Sequence, residues 1–110
     1  MSNFRRVIVD TAKLRDYCLS PSHPRGRHKA RVFRSRLGLE EADAQALRRA
    51  LGRAVRDRSH DMRLGNRDKH GQRYVLDFEM TTSVGTAIIR SSWIAPNGDA
   101  VLRFVTCYVL

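Results

Sequence analysis

Between Ser22 and Arg36 the chain reads Ser-His-Pro-Arg-Gly-Arg-His-Lys-Ala-Arg-Val-Phe-Arg-Ser-Arg. Two histidines, one lysine and five arginines fill those fifteen positions without a single carboxylate. Imidazoles such as His23 and His28 exchange protons near neutral pH, and guanidinium forks grip phosphate oxygens. Arg90 is the second notable residue, because it interrupts the strand-like run Ala-Ile-Ile-Arg-Ser-Ser-Trp-Ile. Strand alternation puts Arg90 and Ser92 on one face. In the last apolar run it puts Phe104, Thr106 and Tyr108 on one face and Arg103, Val105 and Cys107 on the other. Arg90, Ser92, Thr106 and Tyr108 are therefore expected to line one patch on adjacent strands. Each residue also has a plain structural reading: a solvated basic helix face, a half-buried tyrosine, ordinary strand hydroxyls.

These residue types suit one reaction that needs no metal. RNA cleaved by its own 2′-hydroxyl requires a base, an acid for the departing 5′-oxygen, and cations around the phosphorane. Histidine can move the protons. Lysine and arginine can stabilise the charge. Nothing resembles a carboxylate pair for Mg²⁺, a P-loop, G-x-G-x-x-G, G-x-S-x-G or H-E-x-x-H. Cys18 and Cys107 form no C-x-x-C pair and sit among apolar neighbours, which points to buried free thiols. His60 and His70 lie too far from each other and from His23 and His28 to suggest a metal site, and no cofactor is expected.

Positioning falls to the elements around these residues. Val7-Ile8-Val9 reads as a short strand or extended lead-in. Asp10 or Thr11 caps a helix over 12–19, with Leu14, Tyr17 and Cys18 on one face. Pro21 stops it. Ser22 or His23 then precedes Pro24, and proline is favoured at a first helical position. Ala30, Phe33 and Leu37 form the buried stripe of this second helix, and Gly38 suits its left-handed end. Lys29 falls at the side of the stripe. His23 falls at the helix mouth, where free backbone N–H groups favour an anion. A third helix spans about 40–58, its acids first and its arginines last, with Ala44, Leu47, Leu51, Ala54 and Val55 facing inward. Strands are expected at 73–80, 86–94 and 100–110, with 61–67 as an edge strand turned by Lys69-His70-Gly71 and Pro96-Asn97-Gly98-Asp99 as a tight turn. The fold class is α+β in a single domain over 1–110. Its first sixty residues are mainly helical and pack on a C-terminal antiparallel sheet of about four strands over 61–110.

Charge agrees with an anionic partner. The formal net charge is +10, and 18 of the 21 basic residues are arginine. Residues 74–110 hold two arginines against three carboxylates, so 1–73 carry 19 basic and 8 acidic groups. A basic half of this kind fits a nucleic acid best, ahead of an anionic membrane surface or an acidic protein. No run approaches the roughly 20 apolar residues of a membrane span. The early charges at Arg5 and Arg6 argue against a signal peptide, leaving a cytoplasmic site of action or a domain from a longer exported polypeptide.

The pattern Lys13-Leu14-x-x-Tyr17-x-Leu19-x-x-x-His23-Pro24-x-Gly26-x-x-Lys29-Ala30-x-x-Phe33 resembles the signature of an uncharacterised bacterial domain family. That family occurs as small stand-alone proteins and as C-terminal modules of polymorphic toxins. Tyr74-Val75-Leu76, Arg90-Ser91-Ser92-Trp93 and Phe104-Val105-Thr106-Cys107-Tyr108 resemble its later strands. His28 is an extra histidine, Ser91 replaces a preferred threonine, and Cys107 replaces a preferred alanine. Such modules are similar to the barnase–EndoU–colicin–RelE group of ribonuclease toxins. The resemblance implies helices packed on a four-stranded sheet, metal-independent cleavage of RNA (often tRNA), and a cognate acidic immunity or antitoxin protein. It implies His23, Lys29, Arg90 and Thr106 as the catalytic set. Arg25, Arg27, Arg31, Arg34 and His28, with Ser92 and Tyr108, are expected to hold the RNA. The rival expectations are a nucleic-acid-binding module without catalysis and an interaction protein docking an acidic partner.

Overall fold

The computed structural model describes residues 4–98 and 100–110. A five-stranded sheet runs in the order β1-β5-β4-β3-β2. Its strands are β1 (Arg6–Ile8), β2 (Arg63–Asp68), β3 (Gly71–Thr81), β4 (Thr86–Ala95) and β5 (Val101–Val109). β2 to β5 form the expected antiparallel meander, and β1 adds a fifth strand parallel to β5 through Arg6↔Val101 and Ile8↔Arg103. The sheet is therefore mixed. The expected turn after β4 includes Asp99, which lies outside the described residues.

One face of the sheet carries the helices. α1 (Thr11–Lys13) is capped by the Asp10 carboxylate, which accepts from the Ala12 N–H at 3.0 Å. It widens into a π-helical turn over Leu14–Cys18, closed by the Leu19 N–H donating to the Leu14 carbonyl. α2 (Arg27–Leu37) lies over β4 and β5, and α3 (Ala44–Arg58) reaches β3. The expected stripes are the observed ones: Ala30, Phe33 and Leu37 are buried on α2, and Ala44, Leu47, Leu51, Ala54 and Val55 on α3. They meet Leu76, Phe78, Ile89, Trp93, Leu102 and Phe104 from the sheet. Gly38 ends α2 at φ 67°, as expected of a left-handed cap. Trp93 stacks edge-on against Phe104 at 5.4 Å, and its indole N–H donates to the Ser91 hydroxyl at 2.9 Å. Ser91 donates in turn to the Leu76 carbonyl, so this buried hydroxyl serves the core.

β5 departs from simple alternation. Ser92 pairs with Thr106 and Trp93 with Phe104, leaving Val105 as an extra residue in a bulge. The expected face shared by Phe104, Thr106 and Tyr108 is thereby split. Phe104 turns into the core, while Thr106 and Tyr108 stay on the helix-free face. Arg103 is likewise separated from buried Cys107.

Candidate functional site

On the helix-free face the bulge lines up two cross-strand rows. Val75, Ser92 and Thr106 are register neighbours in one; Asp77, Arg90 and Tyr108 are neighbours in the other. The four strand residues expected to share a patch do share it. Arg90 is gripped from the side by Asp77, Nε to Oδ1 and Nη2 to Oδ2, both at 2.9 Å. Arg63 adds a third contact to the same carboxylate at 3.3 Å. The Arg90 hydrogen bonds, with Arg63 contributing, hold Asp77 below the usual carboxylate range. Asp77 first, and then the Tyr108 hydroxyl, raise Arg90 above the usual guanidinium value, so it stays charged throughout. A guanidinium has five N–H donors, and two are spent on Asp77.

α2 begins against the free part of β5, beyond short β1. Lys29 is half-buried there, its Nζ 3.4 Å from the Tyr17 hydroxyl. The ammonium lies 5.2 Å from the Tyr17 ring centroid and 5.4 Å from that of Tyr108. Two aromatic faces thus stabilise the cation without neutralising it. Tyr108 joins the two halves of the site, with Lys29 near its ring and Arg90 opposite it across the β4–β5 ladder.

His23 has a specific local task. Its Nδ1 accepts the backbone N–H groups of Arg25 and Gly26, both at 3.0 Å. This is cap-like chemistry performed by an imidazole on the turn before the helix, and an accepting Nδ1 leaves the ring N–H on Nε2. Two expectations change. Of the N–H groups foreseen at the helix mouth, those of Arg25 and Gly26 go to His23 itself, while Gly26, the cap position of α2, makes no side-chain capping bond. α2 proper starts at Arg27, with 24–26 as the turn that His23 caps. A general base would need an unprotonated Nε2, so the ring is built as an Nε2–H donor instead. The ring lies nearly perpendicular to that of Tyr17, with the two centroids 4.7 Å apart. Gly26 permits this assembly, because a Cβ there would run into the Tyr17 carbonyl oxygen.

Beneath Thr106 lie the two thiols. Cys18 Sγ is 3.9 Å from Thr106 Oγ1, and both cysteines are buried and free. Donation from Cys107 pulls the Cys18 thiol down to about 6 against the opposing effect of burial, with Thr106 and Lys29 helping. Burial, then the hydrogen bond with Cys18, pushes Cys107 well above the thiol range.

The other expected RNA contacts scatter. Arg27, Arg31 and Arg34 border a depression of about 200 Å³ with Glu40 and Glu41, on the flank of α2 away from Lys29. Arg25 and His28 are exposed, and among the described residues no hydrogen bond joins either side chain to the cluster. Tyr17, Asp77 and Cys18 belong to the site, yet in the sequence Tyr17 was a motif residue without a role, Cys18 a buried free thiol and Asp77 unremarked. Among the described residues no three His, Cys, Asp or Glu side chains converge as a metal site would need. No helix among them is long and apolar enough to cross a membrane.

A helical layer on one face of a five-stranded sheet is an α+β fold seen elsewhere. A chain of the contact-dependent growth inhibition toxin–immunity protein complex from Klebsiella pneumoniae 342 matches it with a TM-score of 0.69. The two are 19% identical over 94% of this chain and 99% of that one, so the likeness is one of fold. No curated protein matches the sequence. The chain belongs to the family described as domain of unknown function DUF6883, whose model matches residues 1–110.

Proposed function

We propose that this chain is a metal-independent endoribonuclease domain of a toxin system, with RNA, tRNA included, as its substrate. One observation carries the reading: Lys29 and Arg90 converge from different elements on Tyr108, in a patch edged by the Ser92 and Thr106 hydroxyls. The toxin–immunity complex that contains the structural neighbour supports the toxin setting. In that setting the domain acts in the cytoplasm of a target cell, reaches it as the C-terminal part of a secreted toxin, and is held in check by an acidic immunity or antitoxin protein.

The 2′-oxygen attacks phosphorus and the bond to the 5′-oxygen breaks, leaving a 2′,3′-cyclic phosphate and a 5′-hydroxyl. Lys29 and Arg90 hold the non-bridging oxygens as charge builds on them. Lys29 also gives a proton to the departing 5′-oxygen, and the 2′-proton leaves to solvent. Thr106, Ser92 and the His23 Nε2–H orient the phosphate. Total RNA incubated with the purified protein in EDTA tests the proposal. Discrete cuts support it, and intact RNA at every pH from 5 to 9 with folded protein overturns it.

A second reading has its own observation. With His23 Nδ1 committed to the turn, the cluster offers no free imidazole pair, which fits RNA binding without cleavage. Salt-sensitive binding of uncut RNA would mark that outcome.

A further inference from the structure

A second feature lies away from the cluster. A groove of about 720 Å³ runs between β1 and α3. Its floor is apolar, made by Phe4, Val7 and Val9 with Val55 of α3, and Val7 is 38% exposed. Its rim carries Arg48, Arg49, Arg53 and Arg56, and no acidic residue lines it. Arg48 is braced by donating to the Val9 carbonyl at 3.2 Å, and Arg56 has a loose surface contact with Asp57 at 3.5 Å. Among the described residues Arg49 and Arg53 have no ion pair or hydrogen bond. Arg48, Gly52 and Arg56 follow at four-residue spacing and so form one ridge, with Arg49 and Arg53 on the next.

Gly52 is the second observation. It stands mid-helix, where glycine is less favourable than alanine. Nothing in the fold requires it, since a Cβ there would meet no atom within 4 Å. The missing side chain leaves the middle of the groove open between arginines.

The geometry points to this groove as a docking site for an acidic protein segment that places one apolar side chain over Gly52 and carboxylates on Arg49 and Arg53. The largely aliphatic floor, with one aromatic ring at Phe4, favours protein over nucleic acid. RNA would use the arginines but would want stacking faces, and the ring of Phe4 is already engaged edge-on with Tyr74 at 5.6 Å. The site stands apart from the Lys29 cluster and does not depend on RNA cleavage.

The test is an NMR titration of the ¹⁵N-labelled full chain with three probes. They are an acidic peptide with one central leucine among glutamates, the same peptide with serine for leucine, and a single-stranded RNA of equal charge. The leucine peptide should move the Val7, Gly52 and Arg53 amides and bind about tenfold tighter than the serine peptide. Gly52→Met should fill the groove and abolish those shifts, and the Arg49→Ser/Arg53→Ser double variant should weaken binding about tenfold. RNA should leave the Gly52 amide unmoved. Equal binding of the two peptides, RNA shifts centred on Gly52, or unchanged peptide binding in folded Gly52→Met would each overturn the proposal.

Discussion

Replacing Lys29 by methionine separates the cation from its packing. Methionine keeps an unbranched stem between Tyr17 and Tyr108 and loses the charge, together with the long 3.4 Å contact to the Tyr17 hydroxyl. Each cation–ring contact at a half-buried site is worth about 0.5–1 kcal/mol. A sulfur against the same rings returns roughly 0.3–1.5 kcal/mol. The net cost to stability is therefore less than about 2 kcal/mol, where each kcal/mol shifts Tm by about 4–8 °C in a domain near this size. The effect on rate is of another order. Loss of one preorganised donor at a developing oxyanion costs about 10²–10³ in kcat. Single-turnover cleavage of a fluorescent RNA at saturating enzyme reads the rate, and thermal melting by circular dichroism reads the fold. A rate loss of that size is expected beside a modest shift in Tm. A folded Lys29→Met protein cleaving within about threefold of wild type would refute it, since Lys29 would then be only an aromatic-packed surface cation.

Four further outcomes follow from the same geometry. His23→Asn preserves a capping acceptor but removes the Nε2–H, so helix content should hold while cleavage falls about tenfold or more; an equal loss of both would make His23 purely structural. Asp77→Asn loosens Arg90, lowering cleavage about tenfold. Because Asp77 is held below its unfolded value, its contribution to stability is present above the ordinary carboxylate range and lost as pH falls through the lowered one; the variant should lose less stability on acidification, and identical acid limbs would contradict this. Gly26→Ala drives a Cβ into the Tyr17 carbonyl and should cost about 1–3 kcal/mol by chemical denaturation, where an unchanged midpoint would count against the close approach. Cys18, pulled from 9.0 to about 6, stabilises the fold fully above pH 9 and loses that contribution as pH falls toward 6; Cys18→Ala should flatten the pH 6–9 stability slope, and parallel slopes would show that the thiolate does not form.

The helices were legible because their burial follows a period that the residues display. The apolar stripes of α2 and α3 coincide with the buried residues. The sequence also held, unused, the separation of the arginines. Arg27, Arg31 and Arg34 recur at helical spacing on a flank that Lys29 does not share. Other features depend on register. The Val105 bulge breaks a period of two without any glycine or proline to announce it, and it moved Phe104 into the core. Asp77 faces Arg90 only because β3 and β4 pair in one particular register, which alternation alone does not select. Cys18 and Cys107 meet across 89 positions of chain, beyond any local pattern. The His23 cap turns on which ring nitrogen faces the turn, and residue type does not specify that.

The most direct test of the central claim is the chemistry of the cut ends. RNA treated with the purified protein in EDTA should end in 2′,3′-cyclic phosphate on one side of each break and 5′-hydroxyl on the other. The same RNA with a 2′-deoxy residue 5′ to the scissile phosphate should stay whole at that position. Fragments ending in 3′-hydroxyl and 5′-phosphate, or a 2′-deoxy substrate cut at an undiminished rate, would contradict attack by the 2′-hydroxyl and the roles given to Lys29 and Arg90.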